Sequence, residues 1–171
     1  MTRLLPLCIL ISMHVFCQEP GKVPIGNSGC TLQVFCFPGR FDQYTLEDGS
    51  VVWADDCLKD GISYGIYCVQ LKHPIANLDA AQDSMTTYLD FLKLDLGIVK
   101  GIGYEKGLRL NKNAQTRGIK DLWEDEEKQQ WRVRAWTDGN FICVLHVHSK
   151  KEIPEKKTEL FLEGIRFPGM K

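Results

Sequence analysis

The sequence predicts an α+β fold, a mostly antiparallel sheet with two helices packed on one side, and three observations predict it. Short β-rich runs follow one another across Asp-Gly turns with no helix between them, which makes neighbouring strands antiparallel. One long segment, Leu78 to Leu96, repeats its apolar residues every three or four positions. A second helical segment opens at Pro154 and runs to Ile165 near the end of the chain.

The elements follow in order. Gln18 to Gly29 carries Pro20, Gly21, Pro24, Gly26, Asn27, Ser28 and Gly29 without periodicity, and reads as a flexible lead to a single domain over residues 30–168. Thr31 to Phe37 reads as a strand stopped by Pro38-Gly39. Gln43–Glu47 and Ser50–Asp55 flank Asp48-Gly49 as a hairpin, and Asp60-Gly61 leads into the Tyr-, Ile- and Val-rich strand Ser63–Leu71. Asn77 is a good N-cap, and Leu78, Ala81, Met85, Tyr88, Leu89, Leu92 and Leu96 make one helical face that Gly97 ends. This stripe reads as core. Tyr104–Leu110 and Thr116–Trp123 read as strands joined at Asn111-Lys112-Asn113, and the acidic run Glu124–Glu127 reads as a solvated turn. Leu160, Phe161, Ile165 and Phe167 are the inward residues of the closing helix.

The strongest hairpin joins Gln130–Trp136 to Phe141–Ser149 around Asp138-Gly139-Asn140. A two-residue loop would put His146 and His148 on the face of Trp131, Val133 and Ala135. A three-residue loop would instead gather Cys143, Leu145 and Val147 onto that face, leaving Arg132, Arg134, Trp136, His146 and His148 on the other. Burying an all-apolar face costs less than burying imidazoles, so the second register is the expected one.

At 171 residues, 44% apolar, with a formal net charge of −1, the chain has material for one packed domain. Its charge balance argues against a nucleic-acid partner bound through bulk positive charge. Lys100, Lys106, Arg109, Lys112, Arg117 and Lys120 cluster ahead of the acidic turn, a polarity suited to orienting a protein partner or an envelope component.

Residues 1–17 read as a signal peptide: Arg3 is the basic start, Leu4–Met13 the apolar centre, and Val15 and Cys17 the residues before cleavage. That run is shorter than the ~20 residues a membrane-spanning helix needs. Bulky Phe16 argues against acylation of Cys17. The expected location is secreted or periplasmic. Of the cysteines that then remain, Cys36, Cys68 and Cys143 sit in apolar strand patterns and read as core thiols, whereas Cys30 and Cys57 flank strands and are the expected disulfide partners.

Phe37-Pro38-Gly39, the hairpins around one long helix, Arg134 with Asp138-Gly139-Asn140, and the closing run from Phe161 to Pro168 together resemble small exported PsbP-like domains. Those are related in fold to an extrinsic photosystem subunit and to a small Ran-binding nuclear-import factor. The resemblance covers about residues 30–168 and implies a non-enzymatic accessory or binding role; it carries over no catalytic residue.

Few motifs carry chemistry. There is no C-x-x-C and no G-x-x-x-x-G-K-[ST]; the glycines at 97, 101, 103 and 107 follow a helix and lack dinucleotide spacing. No cofactor is predicted. His146 and His148 are the candidate metal ligands, since alternate strand residues point the same way, with His73, Asp55 or Asp56 as a third. The blander reading of the pair is a solvated face. Arg132, Arg134 and Trp136 beside them would make a patch for a carboxylate or phosphate. The function expected is thus an exported, non-enzymatic binding or accessory domain, the alternative being a metal-dependent or anion-binding, enzyme-like module on this sheet face.

Overall fold

The computed structural model describes residues 21–36 and 40–170. The expected signal peptide and Phe37-Pro38-Gly39 lie outside the described residues. An antiparallel pair, β1 (Gly21–Pro24) and β2 (Thr31–Val34), comes first. Seven further strands form one antiparallel sheet: β3 (Asp42–Thr45), β4 (Val51–Lys59), β5 (Ile62–Gln70), β6 (Ile98–Leu108), β7 (Arg117–Asp125), β8 (Gln130–Thr137) and β9 (Phe141–Ser149). Their spatial order is β3-β4-β5-β9-β8-β7-β6. Two meanders therefore meet at the β5–β9 seam. The helix α1 (Leu78–Asp95) carries the chain from β5 to the far edge at β6, and α2 (Glu155–Leu162) follows β9.

Local chemistry explains the connections. Asp60 and Gly61 both take positive φ, 57° and 79°, the primed turn whose twist matches the strands it joins. The Asn77 side chain accepts hydrogen bonds from the Asp79 and Ala80 amides at 2.8 and 3.1 Å, starting α1 as its sequence predicts. Ala81, Met85, Leu89 and Leu92 are its buried face. β6 begins at Ile98, earlier than the predicted Tyr104, and reaches its length through register irregularities near its glycines.

Three expectations give way. The two helices do not share a side of the sheet. Met85, Leu89 and Leu92 of α1 cluster with Trp131, Val133 and Ala135. Phe161 and Leu162 of α2 cluster with Trp136, Cys143, Leu145 and Val147. Residues 131–136 alternate faces along β8, so the helices lie on opposite ones. Within the expected lead, residues 21–29 contribute to the fold: β1 pairs with β2, and Val23 and Ile25 are buried over the α2 face. Its strand is too short for periodicity to reveal. Leu160 is 42% exposed, because α2 ends at Leu162 and only Phe161, Ile165 and Phe167 of the expected set turn inward.

The disulfide joins Cys36 to Cys57, with Cα atoms 6.1 Å apart, rather than Cys30 to Cys57. Cys36 lies two residues beyond β2 and reaches β4, whereas Cys30 at the start of β2 points into the core and is wholly buried. Cys68 and Cys143 are buried core residues, as predicted.

Candidate functional site

The β8–β9 loop decides which side chains can act together. Thr137 pairs with Ile142 and Trp131 with His148, so four residues, Asp138 to Phe141, form the loop. Asp138 Oδ1 accepts from the amides of both Asn140 and Phe141 at 2.9 Å, and Thr137 Oγ1 accepts from Gly139. This side-chain-braced loop is one residue longer than the expected one. One residue reverses the faces. His146 and His148 therefore stand with Trp131, and Arg132, Arg134 and Trp136 stand on the opposite face.

That separation dismantles the expected anion patch. Arg134 is 5% exposed and its Nη2 donates to both carboxylate oxygens of Glu159 on α2, at 3.1 and 3.0 Å. Trp136 Nε1 donates to the Leu162 carbonyl at 2.7 Å. Both groups fasten α2 to the sheet. Replacing Arg134 by Met is expected to cost about 1–2 kcal/mol in chemical denaturation, the worth of a charge-assisted fork, and to leave ligand binding unchanged. A loss of affinity at retained stability would return Arg134 to the list of ligand contacts.

On the other face a cavity of about 260 Å³ opens between β3–β5 and β8–β9, bordered by Asp42, Ala54, Asp56, Tyr67, Leu96, Trp131, His146 and His148. Asp56, Gly65, His146 and Val133 are register partners on successive strands β4, β5, β9 and β8, so one row crosses the floor. Gly65 is needed there: a Cβ on it would collide with the His146 ring. The ring lies over that gap, 5.1 Å from Trp131 and 5.8 Å from Tyr67, centroid to centroid. His148 stacks on Trp131 at 3.8 Å, and its Nδ1 lies 3.2 Å from Gln129 Oε1. Trp131 in turn donates from Nε1 to Asp125 Oδ2 at 2.9 Å.

Burial sets the electrostatics. It pushes His146 down to about 3, with the neighbouring His148 adding to the effect, and it lowers His148 as well. Both imidazoles are neutral at pH 7. Among the described residues no Lys or Arg borders the cavity, which its carboxylates share with neutral rings. Asp55 also borders it, but alternation sends its side chain to the opposite face, where Oδ1 accepts the Asp56 amide. The Nδ1 of His146 is buried without a hydrogen-bond partner, which in a native core calls for one.

The proposed third ligands divide. Asp55 and Asp56 border the same cavity as the histidines; His73 borders a separate, more apolar one of about 390 Å³, beside Tyr88, Phe91 and Ile142. Donor atoms of the histidine–aspartate set do not converge for a metal. Among the described residues, the group with three ligand atoms all within 4.8 Å of one another is Cys30, Cys68 and Cys143. Asp42, Gly65 and Tyr67 escape the sequence reading. Gly65, an interior strand glycine, was the available signal, because such a residue marks a close approach. Of the basic cluster, Arg117 pairs with Asp79 at 3.1 Å and Lys106 meets Asp83 at 4.0 Å, both on α1.

No model of a known protein family matches the chain, and no curated protein does. The site stands on its geometry. No helix among the described residues is long and apolar enough to cross a membrane.

Proposed function

We propose that the chain is an exported, non-enzymatic binding domain whose histidine–aspartate cavity takes a small organic cation such as a primary amine or a quaternary ammonium group. The observation that carries this is the grouping of Asp42 and Asp56 with two imidazoles that burial keeps neutral, in a cavity that no basic side chain among the described residues borders. Carboxylates offer charge-assisted acceptors, and Tyr67 and Trp131 offer aromatic surface to a cation. A metal-dependent module is the weaker alternative, since its donors would have to move together. The Cys36–Cys57 disulfide supports an oxidising compartment, secreted or periplasmic. With this reading goes an accessory role of the PsbP-like kind, serving a protein or envelope component rather than nucleic acid.

The test is a calorimetric titration with ethanolamine, choline and putrescine, with acetate and phosphate as anionic controls. At least one amine is expected to bind, and the exposed pair Asp42→Asn/Asp56→Asn to weaken it at least tenfold, about 1.4 kcal/mol, with folding retained. Binding of the anions, or equal amine affinity in the double variant, refutes the proposal. A failure of all three amines to bind does the same.

A further inference from the structure

Three sulfur atoms meet in the middle of the α2 face. Cys68 on β5 and Cys143 on β9 are direct register partners across the central seam, and Cys30 comes down on them from the β1–β2 pair. All three are fully buried, and their Sγ atoms lie within 4.8 Å of one another. The Sγ atoms of Cys68 and Cys143 are 2.8 Å apart.

Two chemistries could use such a cluster, and the distances choose between them. Two thiolates on one zinc-sized ion, each about 2.3 Å from it, sit roughly 4 Å apart in trigonal or tetrahedral geometry. At 2.8 Å, the Cys68–Cys143 pair is too close for that, and nearer to the ~2.05 Å of a covalent S–S bond. Charge agrees with distance. Three thiolates in this apolar core would leave net negative charge buried around a mono- or divalent ion; a disulfide and one thiol leave none. The backbone permits the bond as well. Directly opposed residues of antiparallel strands have Cα atoms about 4.5–5.5 Å apart, inside the range disulfides span.

We propose that Cys68 and Cys143 close a second disulfide across the centre of the sheet when the chain folds under oxidising conditions, leaving Cys30 as a buried thiol beside it. Two S–H bonds break and one S–S bond forms. The two protons and two electrons pass to a small-molecule disulfide such as oxidised glutathione, which leaves as two thiols. Because none of the three sulfurs is exposed in the finished fold, the bond closes before the core does. The resulting loop, with a sequence separation of 75, is far longer than the 21 of Cys36–Cys57, so it constrains the unfolded chain more.

The test refolds the full chain in a glutathione redox buffer, denatures it, alkylates free thiols without reduction, and maps the peptides. A Cys68–Cys143 cross-link with the alkyl group on Cys30 is the expected result. Alkylation of both Cys68 and Cys143, or a cross-link from Cys30 to either, overturns the proposal. So does zinc or copper(I) retained by the refolded protein and released by a chelator. A second measurement uses the Cys36→Ser/Cys57→Ser variant, which keeps only the central bridge to lose. Unfolding it in reductant and refolding it with the thiols kept reduced is expected to lower its Tm by about 5–10 °C relative to the oxidised form. An unchanged Tm overturns the bridge, and if this variant does not fold the peptide map decides alone.

Discussion

Between pH 7 and pH 4 the folded protein is expected to lose about 3 kcal/mol of stability through His146 alone. Burial in the cavity floor, reinforced by His148, lowers this imidazole from 6.5 to about 3. The sign follows from the proton count. Below pH 6.5 the unfolded chain takes a proton on this residue that the folded chain refuses, so acid favours unfolding across the window from 6.5 down to about 3. His148, also lowered by burial, acts in the same direction. Denaturant titrations of the wild type and of His146→Gln at pH 7, 5 and 4 measure the effect. Carboxylates that titrate in the same range are common to both proteins, so the difference between the curves isolates the imidazole. Equal acid sensitivity in the two proteins would mean that His146 is solvated when folded, and the neutral-ring description of the cavity would fall with it.

Gly65→Ala is expected to cost about 3 kcal/mol, near the upper end for an overpacked site. The added Cβ meets the His146 ring, which Tyr67, Trp131 and His148 flank, so the ring must leave its place among them. The prediction has an internal control. In a His146→Ala background the space is vacated, so the same glycine substitution should cost at least 1 kcal/mol less than in the wild type, a coupling a double-mutant cycle reads directly. Additive effects would show that the glycine serves the backbone instead of the ring. Since the ring forms part of the cavity, Gly65→Ala should also weaken amine binding more than its loss of stability explains.

Much of the fold was legible because its signals are local. Asp60-Gly61 marks a turn through the φ values its residues adopt, Asn77 marks a helix start through an oxygen two and three residues from the amides it caps, and the Ala81–Leu92 stripe marks a buried face through its period. The misjudged features are non-local. Cys36 rather than Cys30 reaches Cys57 because β2 is anchored by its pairing with β1, a contact no spacing encodes. Likewise, whether Leu160 or Phe161 turns inward depends on where α2 ends against the sheet.

The candidate site divides along the same line. His146 and His148 were visible as a strand pair, and Asp55 and Asp56 as possible companions, since residue type and a period of two are properties of the chain itself. Their companions on the cavity wall were not. Parity across the Asp138–Phe141 loop turned on a single residue, and the side-chain hydrogen bonds of Asp138 and Thr137 settled it. Sequence alone determined the antiparallel strands, the long capped helix and the residue types available for chemistry, because hydrophobic period and turn preference act over a few residues. Tertiary structure alone decided which of those residues share a face, a cavity or a bond. Strand register moves every side chain together, and it is set by contacts tens of residues apart.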